Sequence, residues 1–223
     1  MIRCSFKQFE KLWVVALLAC AGVAGAGSYD DFFNAITHDD SSQVKALLAR
    51  GFDVNTLDPT GQTGLHLALG EASLKAGLVL LDWPKTDLNK LNAQGESALM
   101  LAAFKGQTEF VKKLIAKKAD VNKTGWTPLH YAASAGRPEI ISLLIENYAY
   151  IDAESPNCTT PLMMAAKYGS TASVRLLLDQ DADPGLSNQQ GLTALDFAKQ
   201  GDKPDAVEAI TSRMKKAQSS GKW

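Results

Sequence analysis

The stretch Gly125-Trp126-Thr127-Pro128-Leu129-His130-Tyr131-Ala132-Ala133 decides how this chain folds, because versions of it recur. Before it stand Gly61-Gln62-Thr63-Gly64-Leu65-His66-Leu67-Ala68 and Gly95-Glu96-Ser97-Ala98-Leu99-Met100-Leu101-Ala102-Ala103. After it come Thr160-Pro161-Leu162-Met163-Met164-Ala165-Ala166 and the weaker Gly191-Leu192-Thr193-Ala194-Leu195-Asp196-Phe197-Ala198. The hydroxyl residues at 63, 97, 127, 160 and 193 lie at intervals of 34, 30, 33 and 33 residues. A fixed period of this length marks one supersecondary unit repeated, each copy hiding its apolar flank against the next.

Within the period, the pattern predicts two short amphipathic helices and a turn. The 90–122 copy shows why. Ser97 can cap the first helix through its hydroxyl, and Leu99, Ala102 and Ala103 face inward, the alanines admitting a close neighbour. Gly106 ends that helix, since a left-handed conformation costs glycine little. Gln107 or Thr108 starts the second, which buries Phe110, Val111, Leu114 and Ile115 and turns Lys112, Lys113, Lys117 and Lys118 to solvent. Ala119-Asp120-Val121-Asn122 leads to the next turn, and its counterparts at 52–55, 86–89, 150–153 and 181–184 mark unit boundaries. The units then run about 29–55, 56–89, 90–122, 123–153, 154–185 and 186–218, with the first and last as caps and 219–223 as a frayed tail. Two irregularities are expected. The 30-residue interval shortens the finger at Asn122–Gly125, and in 56–89 Gly77 weakens the second helix, which Trp83-Pro84 ends early.

A period near 33 carrying Thr127-Pro128-Leu129-His130 resembles the ankyrin repeat family. The resemblance covers nearly all of 29–218 and implies an all-α repeat, a solenoid of stacked helix pairs with short β-turn fingers. In that family the histidine is structural, which assigns His66 and His130 to hydrogen bonds back to Thr63 and Thr127 and to neighbouring turns. Thr160 occupies the same capping position. Pro128 and Pro161 fall at the first helical position, where a missing N–H costs nothing.

The family also implies a non-enzymatic protein-binding scaffold whose turn tips and first helices form a concave face. By position, the tips here include Gln94, Glu96, Trp126 and Asn157, and the helix positions facing the groove include Phe104, Lys105, Lys167 and Tyr168. Trp126, Phe104 and Tyr168 thus fall on neighbouring units of one face, beside Lys105 and Lys167. Aromatic side chains in such a setting often dominate the energy of an interface.

The first residues read differently. Arg3, Lys7 and Lys11 precede the apolar run Leu12–Val23, and Ala24-Gly25-Ala26 fits the small-residue cleavage pattern of a secretory signal peptide, residues 1–26. Two alternatives stand beside cleavage. The uncharged stretch from Leu12 to Tyr29 is at the lower edge for an uncleaved membrane anchor, and Leu17-Leu18-Ala19-Cys20 resembles a bacterial lipobox with Cys20 lipidated. Membrane association is expected only through these routes, and the location is periplasmic or secreted. After cleavage Cys158 alone remains of three cysteines, so no intrachain disulfide braces the fold.

The chain has 223 residues, 46% of them hydrophobic, and a formal net charge of −1. With no basic excess, nucleic acid has no electrostatic support as a partner. Three scattered histidines make no metal site by spacing, and no phosphate loop, nucleophile elbow or paired carboxylate appears. No cofactor, small-molecule substrate or catalytic residue is expected. The partner is another protein, and the reading is a bacterial envelope scaffold or immunity-type inhibitor. The alternatives are a membrane-tethered lipoprotein and a secreted effector acting on a host protein.

Overall fold

The computed structural model describes residues 25–219; the proposed signal segment lies almost wholly outside them, as do residues 220–223. Twelve helices make up the regular structure of the described residues: α1 Gly25–Thr37, α2 Ser41–Ala49, α3 Gly64–Glu71, α4 Leu74–Asp82, α5 Ala98–Lys105, α6 Thr108–Ala116, α7 Pro128–Ser134, α8 Pro138–Glu146, α9 Pro161–Lys167, α10 Thr171–Asp179, α11 Ala194–Gln200 and α12 Pro204–Ser219. They fall into two compact units, one of residues 63–86 with those up to 59, the other of 60–62 with those from 87 onward.

In the first unit α1 to α4 pack around Phe32, Ile36, Leu47, Leu69, Leu80 and Leu81, all nearly inaccessible. Phe32 stacks on Phe52, and Gly64 gives the ring of Phe32 and the end of Ile36 room to reach the start of α3. The expectation of an early stop in α4 is corrected here. The helix has nine residues, as α6, α8 and α10 do. Burial of Ala76, Gly77, Leu80 and Leu81 offsets the low helix propensity of Gly77, and Pro84 falls just past the natural end. The Thr86 hydroxyl donates to the Leu80 carbonyl at 2.5 Å, supplying a partner that the ending helix lacks.

The second unit is built from one repeated contact. Side by side lie the first helices α5, α7, α9 and α11, and behind them α6, α8, α10 and α12. Alanines at 102, 103, 132, 133, 165 and 166 are buried completely or almost so, and they let the first helices approach closely. The approach is tightest at Gly169, where a Cβ would come 2.3 Å from the Ala133 carbonyl oxygen.

Each first helix opens on a hydroxyl residue whose N–H is taken back by the side chain three residues on. Ser97 and Thr160 donate to Met100 Sδ and Met163 Sδ at 3.3 and 3.5 Å, and Thr193 donates to Asp196 Oδ2 at 2.9 Å. A second device joins successive repeats. The Asp120 N–H donates to Asn89 Oδ1 at 2.8 Å, Tyr150 N–H to Asn122 Oδ1 at 2.9 Å, and Asp183 N–H to Asp152 Oδ1 at 3.1 Å. The residues that served as boundary markers are therefore clips from one repeat to the next.

Candidate protein-binding face

Three successive first helices and one finger of the second unit bring Phe104, Trp126, His130, Tyr131, Ser134 and Met164 around a cleft of about 220 Å³. The short finger places Trp126. Elsewhere a finger is braced by a polar side chain at its base. Asn92 Oδ1 accepts from the N–H groups of Gln94 and Glu96, and Asn188 Oδ1 from those of Gln190 and Leu192. Three residues shorter, the finger before Thr127 lacks that brace. Lys123 Nζ instead donates to the carbonyls of Thr124 and Trp126 at 3.2 and 3.3 Å. Trp126 is left half-buried, its ring edge-on to His130 with centroids 5.2 Å apart.

His130 is fully buried and holds two fingers at once. The Thr127 N–H and hydroxyl converge on Nδ1 at 3.2 and 2.9 Å, and Nε2 lies 2.9 Å from the Thr159 carbonyl. That carbonyl can only accept, so Nε2 carries the proton and Nδ1 accepts. Burial pushes the imidazole from its ordinary 6.5 down to about 4, against the pull of the Thr159 and Ala153 carbonyls. His66 takes the same position against Thr63, with Nδ1 2.7 Å from the hydroxyl. Both histidines hold the start of their own helix through Nδ1.

Tyr131 and Met164 were not among the candidates. The signal was their register: both directly precede the Ala-Ala pair that follows the capping motif, 33 residues apart. The Tyr131 hydroxyl donates to Glu96 Oε1 at 2.9 Å, while Glu96 Oε2 accepts from Asn92 at 2.8 Å. Burial first, then the Glu96 carboxylate, raises the Tyr131 pKa far above the usual phenol range, so the phenol stays a donor. Phe104, 46% exposed, meets Tyr131 edge-on with centroids 6.2 Å apart.

The remaining candidates are distributed. Lys105 is exposed beside Phe104, and Gln94 and Asn157 are exposed at finger tips. Lys167 and Tyr168 do not line the cleft. Lys167 Nζ donates to Gln200 at 3.2 Å and lies over the rings of Tyr168 and Phe197. Two prominent aromatics were not among the candidate binding residues. Tyr148 and Tyr150 are 86% and 69% exposed beyond the end of α8. The larger groove between α10 and α12, about 440 Å³, carries Arg175 and Arg213 with Asp179 and Glu208 and has no aromatic wall.

Residues 73–155 match the family model of ankyrin repeats in three copies, and 148–198 match that of ankyrin repeats in many copies, together more than half of the chain. The chain belongs to the ankyrin repeat family. The nuclear factor NF-kappa-B p105 subunit of Gallus gallus is 33% identical over 165 residues, 71% of this chain and 17% of that protein. For human neurogenic locus notch homolog protein 1 the identity is 31% over 175 residues, 71% of this chain and 7% of that protein. The chain thus spans less than a fifth of either relative. Two solved ankyrin-type structures are similar, each with a TM-score of 0.70 and coverage of 82% of this chain. One comes from the complex of a predatory endopeptidase of Bdellovibrio bacteriovorus with an immunity protein, at 28% identity and 97% coverage of that chain. The other is an ankyrin repeat domain from Acinetobacter baumannii AYE, at 24% identity and 96% coverage, which speaks to the fold alone. Among the described residues no cluster of His, Cys, Asp and Glu could hold a metal ion, and no helix is long and apolar enough to cross a membrane.

Proposed function

We propose that this ankyrin repeat chain is a stoichiometric protein-binding module of the bacterial cell envelope, an immunity-type inhibitor in preference to a passive scaffold. The observation that carries the reading is the cleft of Phe104, Trp126, Tyr131 and Met164, an aromatic-walled pocket assembled from three consecutive repeats. Large rings held in place by their neighbours lose little freedom when a partner docks. Such a wall suits the anchor of an interface better than a catalytic centre. The inhibitor preference draws on the endopeptidase–immunity protein complex, in which a chain of the same fold takes part. Residues 1–26 would export the chain, placing it where an envelope or incoming peptidase is met.

Affinity capture from envelope extracts, with the chain beginning at Gly27 and its Trp126→Ala variant as baits, tests the cleft. Loss of about 2 kcal/mol, roughly thirtyfold in Kd, is expected for the captured partner. Equal retrieval by both baits would remove Trp126 as the anchor. Assay of any captured hydrolase with and without the chain separates inhibitor from scaffold. Intact mass of the exported protein separates cleavage after Ala26 from retention of the segment or lipidation at Cys20.

A further inference from the structure

We infer that the segment seated in the cleft is acidic: a bulky apolar side chain enters between Phe104, Trp126, Tyr131 and Met164, and flanking carboxylates meet cations at the ends of the first helices. This rests on the cleft being the binding face and adds the chemistry of its occupant.

The cations stand within a few positions of the ends of the first helices in successive repeats. Lys105 closes α5 directly after Phe104, is exposed, and makes no hydrogen bond or ion pair with another described residue. Arg137, just past α7, is also exposed and unpaired. Its guanidinium lies over Gly106, where an added Cβ would come 2.9 Å from Cζ, so it borders Lys105. Lys167 lies one turn beyond Met164 on α9, and among the described residues its side chain hydrogen-bonds only to the neutral Gln200. In the following repeat Lys203 reaches the Gly169 carbonyl at 3.5 Å.

Helix C-termini favour cations, which accounts for Lys105 and Lys167, whereas Arg137 caps the start of α8, where the helix dipole offers a cation nothing. Among the described residues Lys105, Arg137 and Lys167 make no ion pair. Three acids of these repeats interact with other groups. Both oxygens of Glu96 accept hydrogen bonds on the finger side, Glu109 is paired with Lys112 at 2.9 Å, and Glu139 also acts on Lys112. In the sequence Asp202 and Asp205 flank Lys203. A chain of net charge −1 that keeps these three cations beside its aromatic cleft is complementary there to a carboxylate-rich segment. Charges on such a rim govern encounter rate and partner choice more than final affinity.

A random-peptide phage library panned on the chain from Gly27 onward tests this without knowledge of the natural partner. Enriched peptides are expected to carry one Phe, Leu, Met or Trp with Asp or Glu on both sides. A synthetic copy of the leading peptide should bind the Lys105→Glu/Arg137→Glu double variant about tenfold more weakly at low salt, with a flatter salt dependence. Thermal unfolding of that variant should match the parent, which separates charge from folding. Peptides without acidic bias, failure to enrich any peptide, or a double variant that binds as the parent does would overturn the inference. Equal binding of the peptide by Trp126→Ala would instead remove the cleft itself as the binding face.

Discussion

Repeats 123–153 and 154–185 open on the same backbone, Thr-Pro-Leu, and fill it with different chemistry. The third helical position holds His130 in one and Met163 in the other, and both take back the N–H of the capping threonine. The tip position holds Trp126 in one and Thr159 in the other, and the left-handed residue before it is Gly125 or Cys158. The fold therefore asks for an acceptor, a small turn and an alanine pair rather than for particular residues. What exceeds that request is where the two repeats diverge. His130 reaches on to the next finger through Nε2, and Trp126 lines a cleft.

Acid should expose the difference most strongly. Folded His130 titrates near 4, against 6.5 for the free side chain, so below pH 6.5 the unfolded chain takes up a proton that the folded chain refuses. Stability falls as the pH drops, by about 3 kcal/mol in total once pH 4 is reached. Urea midpoints followed across this range should show that loss, and His130→Met, borrowing the neighbour's residue, should abolish it. A slope that persists in the variant would assign the acid sensitivity to other groups. Asp196, held low by the Thr193 N–H and hydroxyl, contributes its own loss only below its ordinary 3.8.

Next in size is Gly169→Ala, which places a methyl 2.3 Å from the Ala133 carbonyl oxygen, where the two repeats press together. The expected cost is about 2 kcal/mol, seen as a lowered thermal midpoint. Gly70 has nothing within 4 Å of its missing Cβ, so Gly70→Ala should cost nothing and serves as the control. Equal effects at both positions would mean that the close approach is not what fixes Gly169.

The smallest effect concerns the turn. Cys158 has φ +59° where Gly61, Gly95, Gly125 and Gly191 have φ between +72° and +82°. Cys158→Gly should raise stability by about 1 kcal/mol, and the mirror change Gly125→Cys should lower it by a similar amount. Calorimetry on the two variants decides whether the turn or the identity of the residue sets the preference.

Much of this was legible in the sequence because it depends on local spacing. The caps at Ser97, Thr127 and Thr160, the turn at Gly106 and the inward alanines follow from a period and a short motif. The early stop expected for α4 failed because burial of Gly77 outweighs its propensity. Tyr131 and Met164 were missed because a helix of seven residues carries too few turns to show which side each position faces. Lys167 and Tyr168 were grouped with Trp126 by position alone. In the structure Lys167 faces Phe197 and Gln200 of the next repeat, a choice made by side-chain reach and not by register.

The clips at Asn89, Asn122 and Asp152 have a direction: each side chain grasps a main-chain N–H of the unit that follows. A main-chain N–H is offered by every residue except proline, so the newcomer in such a joint needs no matching partner residue. A duplicated cassette spliced in at this seam would be accepted on arrival, and lengthening by copying is a growth route that this architecture leaves open.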